Sequence, residues 1–159
     1  MTTLSIEEIE VMLATSKEFD FRRNLFVTNV DWGLLNHEVD VVVMSKSGYL
    51  TEIEIKRSKA DLRADFKKNH KHEDELIKNF YFCVPKHLKE ECLKLCEEHG
   101  YRVNGIILYT DDSKFKFERV PNWRVGRKLF IEEQLQLARL GSMRAITLKN
   151  KIIRLIKNK

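Results

Sequence analysis

At 159 residues, 43% apolar and 33% charged, with six glycines and two prolines, the chain has the composition of one globular domain and not of a linker or disordered segment. No apolar run approaches the ~18 residues that span a bilayer, the first ten residues are acidic and unlike a leader peptide, and three cysteines make no disulfide framework. The expectation is a cytoplasmic protein with free thiols and no membrane partner, whose net charge of +5 is concentrated at one end: Arg124 to Lys159 carries ten basic against two acidic residues.

Ser5 with Glu8 three residues later reads as a capping box, and Ile9, Met12 and Leu13 follow at helical spacing, which predicts a helix over Ser5 to Ser16. Leu25 to Val30 and Glu38 to Met44 read as strands. In the second, Val39, Val41 and Val43 should share one face and Glu38, Asp40 and Val42 the other. Ser45 to Gly48 is a turn signal, and Tyr49 to Lys56 alternates strictly, with Ile53 and Ile55 opposed to Glu52, Glu54 and Lys56. The short connection predicts an antiparallel hairpin.

Ser58 and Asp61 mark a second helix start, with Leu62 and Phe66 as its buried side and an end near His70. Asn79 to Val84 predicts a buried strand stopped by Pro85, followed by a helix over Lys86 to His99 that Gly100 ends. Gly105 to Tyr109 predicts another buried strand, and Phe115 to Val120 an edge strand. Two helices, Lys128 to Leu140 and Met143 to Ile156, are expected on either side of Gly141. The order implies a three-layer α/β arrangement around a mixed sheet. Residues 1–123 would form the core, and 124–159 a basic helical extension of the same domain.

Chemistry is expected where Glu52, Glu54 and Lys56 line one face of a strand that is otherwise buried. Ionised groups in a sheet centre are costly unless paired or bound to a metal. The hairpin brings Asp40 level with Glu54. Two carboxylates that close repel, and a divalent cation between them relieves the repulsion. Oxygen ligands alone suit a hard ion, Mg²⁺ or Mn²⁺, held by Asp40, Glu54 and the backbone carbonyl of Ile55. Such an ion would activate a water and neutralise phosphoryl charge. Lys56, on the same face, would orient that water and stabilise developing negative charge. Taken alone, Glu54-x-Lys56 is also what a solvated cross-strand ion pair looks like.

The run Glu38-Val39-Asp40, the fourteen-residue step to Glu54-Ile55-Lys56, then Ser58, Asp61, Asp65 and Lys67, and the strand Tyr81 to Pro85 together resemble the PD-(D/E)xK nuclease superfamily. They look most like its MmcB-like DNA repair proteins. The match covers about a third of the chain. The resemblance implies a restriction-endonuclease-like α/β/α fold with a central mixed sheet and added C-terminal helices, and a metal-dependent nuclease acting on DNA in repair, mobile-element or defence settings. Asp40, Glu54 and Lys56 would stand in its motif positions. Val39 replaces the proline that usually precedes the first aspartate, and nothing after Pro121 matches. The other reading is a nucleic-acid-binding protein that keeps the fold without cutting. The apolar stripes of the C-terminal helices would suit a homodimer, a third use for that segment.

Other residues have ordinary explanations beside functional ones. Ser58 is explained by helix capping, Cys92 and Cys96 by core packing, and His70-x-His72 by a surface pair. Asp61 and Asp65, four apart, need partners such as Arg57 and Lys68, and either could support the site. Lys67, Lys68 and Lys71 would face either solvent or a phosphate backbone. Trp32 and Tyr49 would either pack or stack on bases. Glu52 is a candidate for a supporting or second-metal role. Glu7, Glu8 and Glu10 are candidates because the superfamily often places a helix glutamate near its metal, and the sequence does not choose among them.

Overall fold

The computed structural model describes residues 4–30, 33–68, 72–122 and 126–158. The chain runs α1 (Ile6–Ala14), β1 (Leu25–Val30), β2 (Val39–Met44), β3 (Leu50–Ile55), α2 (Lys59–Asp65), β4 (Ile77–Pro85), a 3₁₀ turn (Lys86–Leu88), α3 (Lys89–Glu98), β5 (Gly105–Tyr109), β6 (Phe115–Arg119) and α4 (Ile131–Lys157). All six strands form one sheet whose spatial order follows the chain order. The outer pairs are antiparallel, and β3–β4 and β4–β5 are parallel. This is an α/β architecture around a mixed sheet.

Period-two alternation sorts the sheet's apolar residues onto two faces, and each face has its own core. One joins Ile9 and Leu13 of α1 to Val41, Val43, Ile53, Ile55, Cys83 and Ile107. The other joins Val42, Leu50, Phe80, Phe82 and Ile106 to Leu62 of α2, Cys92 and Cys96 of α3, and Leu137 and Leu140 of α4. Ile9 and Leu13 are fully buried, which stabilises α1 against the sheet by roughly 1.5–3 kcal/mol per side chain. α1 is shorter than its sequence pattern suggests because Thr15 caps it. At its start both capping-box bonds form, Glu8 N–H to Ser5 Oγ and Ser5 N–H to Glu8 Oε2.

Three expectations are corrected. The valine alternation of β2 breaks at its start: Val39 packs with Val42 and not with Val41, just as Val27 packs with Val30 on β1. The cause lies opposite, where Asn29 takes a left-handed conformation with φ of 52°. That twist lies between the paired residues Thr28–Val41 and Val30–Val39, at the level of Asp40. Second, α2 ends at Asp65 with Phe66 as its cap and does not reach His70, which lies outside the described residues. Third, the two C-terminal helices are one, and α4 runs 27 residues without a break at Gly141. Glycine serves close approach there, since a Cβ at Gly141 would lie 3.2 Å from Val27 Cγ2 on β1. Its missing side chain lets the helix lie on the sheet edge, and the backbone remains helical at a cost of about 1 kcal/mol relative to alanine.

Candidate metal centre and its ionic cluster

The β2–β3 hairpin pairs Val41 with Ile53 and Val42 with Glu52, so Asp40 falls level with Glu54 just past the last paired residues. There the ladder opens. Ile55 N–H, which no longer has a β2 backbone partner, donates to Asp40 Oδ2 at 2.8 Å. Asp40 N–H in turn donates to Glu54 Oε1 at 3.4 Å. These exchanged bonds hold the two carboxylates at the mouth of a cleft of about 370 Å³ that Lys56, Asp61 and Lys68 also line. The Asp40 side chain is 38% exposed, and those of Glu54 and Lys56 are 2% and 6% exposed. Ile55 contributes through its N–H; the metal role expected of it concerned its carbonyl. Two larger hollows, of about 570 and 530 Å³, open along α3. Their lining is ordinary surface, with ion pairs such as Lys89–Glu118 at 2.6 Å.

Lys56 Nζ lies 2.7 Å from Glu54 Oε2, 3.1 Å from Asp65 Oδ1 and 4.0 Å from Asp40 Oδ2. Burial alone would lower its pKa, but the charges of Glu54 and Asp65 hold it above the usual lysine range, so it is a permanent cation. Glu54 is different. Burial, and then the charge of Asp40, push its carboxyl up to about 7 despite Lys56 beside it. One lysine therefore does not neutralise this end of the hairpin.

The helix glutamates separate cleanly. Glu8 is consumed by the capping box, and Glu7 lies exposed on the first turn. Glu10 is half-buried and pushed up to about 7, first by burial and then by the charges of Glu7 and Asp40. It is the α1 carboxylate whose charge couples to the site.

Behind Lys56 the cluster continues inward. Asp65, on the last turn of α2, receives Lys68 at 2.7 Å and His72 Nε2 at 2.6 Å. These partners outweigh burial and hold its carboxyl below the usual range. The expected partner Lys68 is thus in place for Asp65, while Asp61 closes the α2 cap, taking Arg57 N–H on Oδ2 and donating its own N–H to Ser58 Oγ. His72 Nδ1 meets Glu52 Oε1 at 2.6 Å, and His37 Nε2 meets the same oxygen at 2.9 Å. Burial would lower His72, but its bonds to Asp65 and Glu52 hold it up at about 9. The surface pair expected of His70 and His72 is corrected for His72, which is fully buried. A lone histidine in a polar loop gives no sequence signal of this, nor does His37.

Among the remaining expectations, Cys92 and Cys96 are buried core thiols. Tyr49 carries the Lys78 ammonium over its ring at 3.6 Å, which occupies the face that base stacking would use. Lys67 is exposed; Trp32 and Lys71 lie outside the described residues. No helix among the described residues is long and apolar enough to cross a membrane.

No family model matches the chain, and no curated protein does. Among solved structures it is similar to the SPO1766 protein of unknown function from Silicibacter pomeroyi, with a TM-score of 0.61 at 17% identity over 99% of this chain and 97% of that one. The two share a fold along essentially their whole length.

Proposed function

We propose that this is a metal-dependent nuclease of the restriction-endonuclease-like type, hydrolysing phosphodiester bonds in DNA, with Asp40, Glu54 and Lys56 at its centre. The observation that carries the reading is the convergence of Asp40 and Glu54 at the open end of one hairpin, with Glu54 held near neutrality by burial and by its neighbour's charge. A carboxylate pair with one buried member is relieved by a cation, and its donors are all oxygen, which fits Mg²⁺ or Mn²⁺. Asp40 and Glu54 would hold the ion, with the Ile55 carbonyl as the third donor that the sequence motif suggests. Mg²⁺ often binds through one or two carboxylates and keeps several waters, which the half-exposed Asp40 leaves room for. When bound, the ion would supply charge neutralisation at phosphoryl oxygen and a more acidic water.

The protein's own groups have distinct tasks. Lys56 stays protonated and, at the base of the cleft, presents fixed positive charge to the transferred phosphoryl group. Asp65 and Glu54 hold its ammonium in place, and His72 and Lys68 hold Asp65. Glu10 is placed to accept a proton near neutral pH.

The test is incubation with single-stranded, duplex and branched DNA, and RNA, in Mg²⁺ or Mn²⁺. Cleavage should appear with the wild type and fall at least a hundredfold in Asp40→Ala and Lys56→Ala, with binding retained. Equal cleavage by wild type and variants sinks the assignment of the site. One observation favours a second reading, a binding protein that does not cut: Lys56 is already locked between Glu54 and Asp65. Binding by wild type with no cleavage under any of these conditions would establish it.

A further inference from the structure

The inner end of the cluster holds groups that the nuclease reading does not use. Asn36 Nδ2 donates to the Glu73 carbonyl at 2.9 Å, which turns Asn36 Oδ1 toward His37 Nδ1 at 2.5 Å. Because that oxygen only accepts, His37 Nδ1 carries a proton. His37 Nε2 lies 2.9 Å from Glu52 Oε1. His72 has Glu52 at one ring nitrogen and Asp65 at the other, both at 2.6 Å, and as an imidazolium it donates to both. Two imidazoles thus converge on one carboxylate oxygen, where a cation could replace the protons that now bridge them. Glu52 has a second point of interest: it is fully buried, and its other oxygen, Oε2, has no hydrogen-bond partner among the described residues.

We propose that His37, Glu52 and His72 form a binding site for a borderline transition cation of the Zn²⁺ class, separate from the hard-cation site at Asp40 and Glu54. Their ligand atoms all lie within 4.8 Å of one another. Two imidazoles and a carboxylate are a recurrent Zn²⁺ ligand set, with bonds near 2.0–2.2 Å. An ion in place of the two bridging protons sets ligands about 3.4 Å apart in a tetrahedron, so the two histidine–Glu52 distances of 2.9 and 2.6 Å would each open by less than about 1 Å. Glu52 Oε2 lets the carboxylate shift to either oxygen. The supporting bonds are those that metal-bound histidines ordinarily have: His37 Nδ1–H donates to Asn36 Oδ1, and His72 Nε2–H donates to Asp65.

The ligands come from three separate segments: the β1–β2 connection, β3 itself and the α2–β4 connection. Asn36 already ties two of them, through its N–H to Asp74 Oδ2 and its Nδ2 to Glu73. With all three protein ligands buried or nearly so, the ion would be a structural clasp behind Lys56, not a reaction centre.

The test uses the full chain freed of metal by a chelator, dialysed against Zn²⁺ and then against buffer, with bound metal measured by elemental analysis. One equivalent per chain is expected in the wild type and in Asp40→Asn, and less than a tenth of that in His37→Gln. The thermal midpoint should rise with the logarithm of free Zn²⁺ in the first two proteins only. Near-ultraviolet circular dichroism in chelator checks that His37→Gln is folded. Co²⁺ in place of Zn²⁺ should give visible bands without a thiolate charge-transfer band. The proposal is overturned if the wild type retains no equivalent, if His37→Gln retains it, or if a thiolate band moves the ion to Cys92 and Cys96. Loss from Asp40→Asn would merge the two sites and also overturn it. Nuclease activity enters none of these readings.

Discussion

Replacing Glu54 by glutamine tests whether the hairpin end is electrostatically strained. In the folded protein the Glu54 carboxyl sits at about 7, against an ordinary value of 4.5. A raised acid favours folding below its unfolded pKa, and that contribution is lost as pH climbs through the folded value. The gap corresponds to roughly 3 kcal/mol at 1.36 kcal/mol per pH unit, a large share of a typical domain's stability. Glutamine cannot ionise, and Lys56 keeps Asp65 at 3.1 Å as its partner. Urea unfolding in chelator, at intervals from pH 4.5 to 8, should show the wild type losing about 3 kcal/mol relative to Glu54→Gln across that range. His72, Asp65 and Glu10 are present in both proteins, so most of their own titration drops out of the difference. Adding Mg²⁺ at pH 8 should restore the wild type and leave Glu54→Gln unmoved. Parallel stability curves for the two proteins would refute the claim that Glu54 is held up in the fold.

Gly141→Leu should destabilise the protein by about 1–3 kcal/mol in chemical denaturation, because Val27 already lies where the side chain begins; Gly141→Ala should stay within about 1 kcal/mol, its helix gain offsetting a tight approach. Leu140→Ala, at a buried site between α4 and the sheet, should cost about 2–5 kcal/mol. Truncation after Ser142 should leave the unfolding midpoint nearly unchanged, since large apolar residues from Met143 onward are about half exposed or more. On the nuclease reading it should also weaken DNA binding and flatten its salt dependence, by about 0.9 in log–log slope for each phosphate that the shortened chain leaves unneutralised.

Strands and helices that carry a strong pattern were legible from the chain. β1 and β5 begin and end where their apolar runs do, and the Ser5 and Ser58 caps form as their spacing implies. Asp40 meets Glu54 because a hairpin of known turn fixes its own register. What local pattern could not show depends on distant partners. Gly141 reads as a breaker until β1 is seen beneath it. Val39 changes core because Asn29, on another strand, takes a left-handed turn. His37 and His72 meet through Glu52 across 15 and 20 residues of chain. Nothing in period or spacing announces such a meeting, because both histidines sit in loops.

Because the six strands lie in the sheet in the order they are made, every ladder joins consecutive strands. Apart from Glu10, the whole ionic cluster is drawn from the stretch between His37 and His72. Loop-closure entropy grows with the length of chain enclosed, so this stretch closes at little cost and before the flanking edges are needed. Folding should therefore begin at the β2–β3 hairpin and spread outward in both directions. Conservative substitutions at Val42 and Ile53 should slow folding, whereas those at Phe117 or Leu137 should mainly speed unfolding. The costliest charges of the molecule would then be brought together early, while water still reaches them, and sealed in afterwards as β4 and the aromatic residues Phe80, Phe82 and Tyr101 close over His72.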